Sequence, residues 1–153
     1  MSSKESILHK IADYLARRDH SPKEILDKLE RKKVFTTNEI LSGIKKAQDA
    51  GWFLPDDELA LKVHAHLVRK GKSHKYIEQY LKTKGLPSTA FDRSEEVQTI
   101  RRHLEKKFQT FANLEYDDKQ KVLRSLAQKG FDLSCCYEAL RLEANMESMN
   151  EEF

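Results

Sequence analysis

The stretch RRDHSPKEILDKL, residues 17–29, decides how this chain folds. Ser21-Pro22-Lys23-Glu24 is a helix start written in side chains. The serine hydroxyl can accept the N–H of the third helical residue, and the glutamate can reach back to the serine amide. The proline has a φ suited to the first helical position and lacks the N–H that would be orphaned there. Ile25, Leu26 and Leu29 then share one stripe of a 3.6-residue period. Upstream, Ile7, Leu8, Ile11, Tyr14 and Leu15 form a second stripe, with Ser2 and Glu5 as its capping box. Residues 17–21 are therefore the turn of a helical hairpin.

Working outward, the same punctuation recurs. Thr36 with Glu39 opens a third helix carrying Ile40, Leu41, Ile44 and Ala47, closed at Gly51. Asp56 or Asp57 opens a fourth, with Leu59, Val63 and Leu67 inward, closed at Gly71. Ser73 opens a fifth with Ile77, Tyr80 and Leu81, closed at Gly85. A short helical turn is predicted at residues 88–91. Ser94-Glu95-Glu96 starts a helix carrying Val97, Ile100, Leu104 and Phe108, followed by a loop over residues 109–115. Two last helices are predicted at residues 117–129 and 132–145, before the acidic tail MESMNEEF.

The hairpins repeat. Aligned columns read Ile11/Val63/Val122, Leu15/Leu67/Leu126, Arg18/Lys70/Lys129, Ser21/Ser73/Asp132, Ile25/Ile77/Cys136 and Leu29/Leu81/Leu140. The column at the turn is Asp19/Gly71/Gly130, where a left-handed residue would end the first helix. A hairpin with one apolar stripe cannot bury it alone, so the units must stack.

Composition agrees. The 153 residues include 35% charged and 39% apolar side chains, which suits thin helical layers better than one thick core. Five glycines and three prolines are too few for a turn-rich β-architecture. The net charge of +3 is unevenly spread: 0 over residues 1–58, +7 over 59–110 and −4 over 111–153. A basic middle can meet a patterned polar partner but is modest for a dedicated duplex binder. The adjacent Cys135 and Cys136 build no disulfide framework, and no apolar run or signal-peptide core is seen. The expected compartment is the cytoplasm, with no membrane partner.

In order and spacing these motifs resemble the RecX family. The resemblance is carried by Arg18, Asp19, His20, Ser21, Glu24, Ile25, Lys28 and Leu29. It continues through Gly51, Trp52, Phe53, Asp57, Glu58 and Ala60 to Arg69, Lys70 and Gly71, then Ile77, Leu81, Lys84 and Gly85, and finally Lys129-Gly130-Phe131. It spans most of residues 5–145. Departures are Leu54-Pro55 ahead of the acidic cap, Leu59 and Lys72 where aromatics are common, and a shortened third helix in the second unit.

The resemblance implies an all-α fold, an elongated curved array of tandem three-helix modules. The modules fall at residues 1–55, 56–93 and 94–145, with the tail at 146–153. It implies a monomeric protein that binds the RecA filament on single-stranded DNA. Such a protein lies in the filament groove and depresses strand exchange, ATP hydrolysis and co-protease activity, in DNA repair, recombination and the SOS response. Alternatives are a direct DNA-binding helical module, against which no helix shows a base-reading cluster, and a helical scaffold for another partner.

The residues expected to meet partner or DNA phosphate are Arg17, Arg18, Arg69, Lys70, Lys72, Lys75, Arg102 and Lys106; Arg101 and Lys107 lie beside the last two. The competing reading of Arg18, Lys70 and Lys129 is attraction to helix C-termini, about 0.3–1 kcal/mol each. The other basic residues can equally form solvated faces. His64 and His66 are two apart on a helix and point away from each other, so no metal site is expected. Cys136 falls in the Ile25/Ile77 core column; Trp52, Phe53 and Phe131 are expected as core at module joints. No nucleophile–base pair or phosphate-cradling glycine loop is present, so neither an enzyme nor a cofactor is expected.

Overall fold

The computed structural model describes residues 3–107 and 116–140, and all of its regular structure is helical. The helices are α1 (Ser3–Arg17), α2 (Pro22–Lys32), α3 (Thr37–Asp49), α4 (Asp56–Arg69), α5 (His74–Thr83), α6 (Arg93–Lys107), α7 (Tyr116–Gln128) and α8 (Leu133–Leu140). The all-α expectation is met. No helix among the described residues is long and apolar enough to cross a membrane.

Local chemistry explains the boundaries. Ser21 and Thr36 each form the full capping box, with Glu24 and Glu39. Ser73 accepts from the Tyr76 amide and Asp132 from the Cys135 amide, so the whole Ser/Ser/Asp column caps helices. At Gly85 and Gly130 the backbone is left-handed, φ 69° and 93°. There the next residue's N–H returns to a carbonyl one turn back, Leu86 to Leu81 and Phe131 to Leu126.

Some expectations needed correction. Residues 88–91 form no helix; Pro87 precedes them, and the Thr89 amide is given to the Glu78 carboxylate instead of to a helical carbonyl. α6 is capped not at Ser94 but by Asp92, whose carboxylate accepts the Glu95 N–H. Leu41 is 48% exposed on α3, away from the stripe. On α4, Val63 is only half-buried, and its neighbour His64 is buried instead. The Ser2 capping box, Phe108, the 109–115 loop, the end of the last helix and the tail lie outside the described residues.

The chain divides into two compact units, with the division falling inside α4 and α5: Met1–Val63 with Tyr80–Ser88, and His64–Gln79 with Thr89–Phe153. In the first unit α3 packs on α1 and α2. Its core is Ile7, Ile11, Ile25, Leu29, Ile40, Ile44 and Ala47, flanked by the half-buried Phe35 and Phe53. In the second, α8 packs on α6 and α7 around Val97, Ile100, Leu104, Leu123, Leu126, Phe131, Cys136 and Leu140. Phe131 and Cys136 are thus core, as expected, whereas Trp52 is 42% exposed.

Each unit contains a similar joint. In the first, the Ser21 hydroxyl donates to the Lys84 carbonyl, and Lys23 lies against Gly85. In the second, the Ser73 hydroxyl donates to the Lys129 carbonyl, and Lys75 lies against Gly130. The cap serine thus has two tasks: its oxygen accepts from its own helix, and its proton satisfies the exposed end of another.

Candidate functional site

The first-unit candidates differ in their commitments. Arg17 is exposed. Arg18 gives Nη2 to Glu24 Oε2 at 2.8 Å and Nη1 to the Asp19 carbonyl at 2.9 Å. Only 4% of the Glu24 side chain is exposed, and Lys84 Nζ stands 3.5 Å from it. Burial alone would raise the Glu24 pKa; the Arg18 hydrogen bond, the Ser21 amide and Lys84 outweigh it and hold the carboxyl below its ordinary value. The same hydrogen bond to Glu24 raises the Arg18 pKa. Arg18 therefore holds a buried carboxylate in place as well as lying at a helix end.

His20 supports this turn. Its Nδ1 faces the Arg18 carbonyl at 2.9 Å and its Nε2 faces Lys28 Nζ at 2.8 Å. Burial pushes its pKa down, which favours a neutral ring that donates at Nδ1 and accepts at Nε2. The Lys28 pKa is also lowered, first by burial and then by Arg18, and its ammonium lies 5.1 Å from the Tyr14 ring centroid.

The second unit collects more of the predicted cations. Lys70 and Lys72 line one cleft of about 430 Å³ together with Lys129, His103 and Tyr76. Lys72 Nζ sits 4.7 Å from the Tyr76 ring centroid, and Lys129 Nζ lies 3.1 Å from His103 Nε2. A smaller cleft of about 190 Å³ shares His103 and Lys129 and adds Lys121. Among the described residues no carboxylate lines either cleft. By contrast, the cleft containing Lys75 is lined by Glu78, Glu96 and Asp132 as well.

The remaining candidates lie apart from the cleft lining. Arg69 and Lys106 are exposed. Arg102 bonds the Val68 carbonyl near the end of α4 and the Thr99 hydroxyl, both at 3.4 Å. Arg101 lines another cleft with Arg93 and Glu138. The Lys107 side chain lies outside the described residues. Sequence reasoning missed His103, Tyr76 and Lys121. Lys129 had been legible, since the repeat places it in one column with Lys70.

His64 is 9% exposed, with Nδ1 2.6 Å from Thr89 Oγ1 and Nε2 2.5 Å from Glu95 Oε1. His66 is exposed, so the two point apart. Among the described residues no cluster of His, Cys, Asp and Glu could hold a metal ion. Cys135 and Cys136 are buried, and that burial pushes both thiols up to about 12. They are held as thiols, the opposite of an activated nucleophile.

Comparison with known proteins bears out the resemblance to RecX. Residues 94–140 match the family described as RecX, third three-helix domain. The fold matches a crystal structure of regulatory protein RecX with TM-score 0.72 and 21% identity, covering 90% of this chain and 72% of that one. It also matches RecX from Lactobacillus salivarius with TM-score 0.72 and 20% identity, covering 94% of this chain and 97% of that one. No curated protein matches the chain in sequence.

Proposed function

We propose that this chain is a RecX-type regulator that binds the RecA filament on single-stranded DNA and inhibits its recombinase, ATPase and co-protease activities. The observation that carries the reading is the match of residues 94–140 to the third RecX domain, at the C-terminal end of a chain with RecX fold. The hairpin repeat supports it. Three modules, at residues 1–55, 56–93 and 94–145, give a monomer several surfaces to offer a repeating polymer, with 146–153 as a tail. Binding that favours one filament state slows the cycling that hydrolysis and strand exchange require. The protein acts in the cytoplasm, in DNA repair, recombination and the SOS response, and is itself no enzyme.

Arg17, Arg69, Lys70, Lys72, Lys75 and Lys106 are the contact residues of this reading. Arg18 and Arg102 contribute while tied to Glu24 and Val68. The experiment is RecA's DNA-dependent ATP hydrolysis and strand exchange, measured with and without the protein. Suppression at near-stoichiometric amounts is expected. Untouched turnover alongside tight binding of free DNA would hand the function to the alternative, a direct DNA-binding helical module. Replacing Arg69, Lys70, Lys72 and Lys75 together by alanine should weaken filament binding with little loss of stability, about 0–1 kcal/mol per exposed pair.

A further inference from the structure

His20 is held by partners that leave it no room for a second proton. The residue is 2% exposed, with Nδ1 2.9 Å from the Arg18 carbonyl and Nε2 2.8 Å from Lys28 Nζ. A carbonyl only accepts and an ammonium only donates, so the ring carries its proton on Nδ1 and a lone pair on Nε2. A second proton, on Nε2, would point at the Lys28 ammonium and turn a hydrogen bond into two cations in contact. The charged groups around the ring offer no relief. From α1 it meets Tyr14, whose ring centroid is 5.7 Å away. From α2 it meets Lys28 and Glu24, but the Glu24 oxygens are taken by Arg18, Lys84 at the end of α5 and the Ser21 amide. At the turn itself Arg18 is a further cation, and Asp19 is engaged by Lys62 of α4. Burial first, then Arg18 and Lys28, hold the His20 pKa below its ordinary value against the pull of the Arg18 carbonyl and Glu24.

We propose that the turn at residues 18–21 is a proton-operated release: protonation of His20 expels Lys28 from its seat between His20 and Tyr14 and frees the clip that holds α2 to the end of α5. Lys28 moves first, because its ammonium rides on a flexible four-carbon stem while the imidazole is packed in. Its Nζ then leaves the Tyr14 ring, over which it lies 5.1 Å from the centroid. The imidazolium left behind has a buried N–H with no acceptor, so the ring follows toward water. That ring stands next to Ser21 in the chain. Ser21 gives its hydroxyl to the Lys84 carbonyl and its amide to Glu24, so displacing the turn loosens the contact that steadies the end of α5. The release belongs to one joint only. Lys72 and Phe131 hold the position of His20 in the other two hairpins, and neither side chain changes charge in mild acid. The device goes beyond the RecA reading, and its test contains no RecA, so the two fail separately.

The test is an NMR titration of the full chain between pH 8 and pH 4.5. The imidazole nitrogen shifts of His20 should show a proton on Nδ1 at high pH and a midpoint below 6.5. The Lys28 side-chain protons, shifted by the Tyr14 ring current at high pH, should return toward free-lysine values along the same midpoint. Lys28→Met keeps an apolar stem against Tyr14 and removes the charge, so it should raise the His20 midpoint by about one pH unit. Amide exchange, corrected for its intrinsic pH dependence, reads the joint. Leu86, whose N–H closes α5 onto Leu81, should lose about threefold or more of its protection between pH 7 and pH 5, and more than Ile44 in the core of α3. In His20→Gln, which keeps a donor and an acceptor but takes no proton, Leu86 should keep its protection. A proton on Nε2 at high pH, or a midpoint that Lys28→Met leaves in place, overturns the proposal. So does an equal loss at Leu86 and Ile44, which would be general destabilisation and no release at the joint.

Discussion

Replacing Gly130 with alanine tests the serine–glycine joint directly. Its φ is 93°, so any side chain there carries the left-handed penalty of about 1–2 kcal/mol. An alanine Cβ would also stand 3.0 Å from Ser73 Oγ and 3.4 Å from Lys75 Cβ. The Ser73 oxygen cannot swing away freely, because it accepts from Tyr76 and donates to the Lys129 carbonyl. Overpacking of this kind costs about 1–3 kcal/mol more, giving about 2–5 kcal/mol altogether. Gly71 supplies the control inside the same unit: its φ is 82°, but its added Cβ would meet only His103 Nδ1 at 3.9 Å. Gly71→Ala should therefore cost only the conformational 1–2 kcal/mol or so. With two compact units, a single melting curve is not a clean readout, so amide hydrogen exchange along α7 and α8 is the assay. Ser73→Ala alone should cost about 1 kcal/mol as a lost cap. In the double variant the overlap is relieved, so the total should fall short of the sum by at least about 0.5 kcal/mol. Equal costs at Gly71 and Gly130, or strict additivity with Ser73→Ala, would refute the tight joint.

Acid should destabilise the first unit in two steps. Burial lowers the His20 pKa from 6.5, so its contribution is complete above about 6.5 and is lost as pH falls through the lower folded value. Glu24, lowered from 4.5, contributes above that value and loses its contribution only as pH falls through its own depressed folded pKa. Denaturant titrations followed by Trp52, the single tryptophan, should show lower stability at pH 5 than at pH 7, with His20→Gln removing most of that difference. Identical parental curves would contradict it. Native Cys135 and Cys136, buried and pushed up to about 12, should resist thiol reagents at pH 8 and react fully once unfolded. Rapid native labelling would show the α8 packing to be wrong. Leu67, 6% exposed, should cost about 2–5 kcal/mol when truncated to alanine, while the 63% exposed Leu61 should cost almost nothing, both read by amide hydrogen exchange.

The sequence by itself determined the helices and the residues that start and stop them, because caps, glycine stops and 3.6-residue stripes act over a few residues. Ser21, Thr36, Ser73 and Asp132 all cap where local chemistry placed them. Local reasoning failed where two local signals competed, as between Asp92 and Ser94, or where adjacent side chains could share a buried face, as with Val63 and His64. The candidate site was half legible: the repeat column joined Lys70 to Lys129, but nothing local placed His103, Tyr76 or Lys121 beside them. Only tertiary structure brought Ser21 to Lys84 across 63 residues and Ser73 to Lys129 across 56. It also decided which cations are tied, such as Arg18 by a buried carboxylate, and which gather in a cleft with none among the described residues. The reason is range: a helix start is settled by neighbours along the chain, whereas the state of a charge is settled by whatever folding brings within a few ångströms of it.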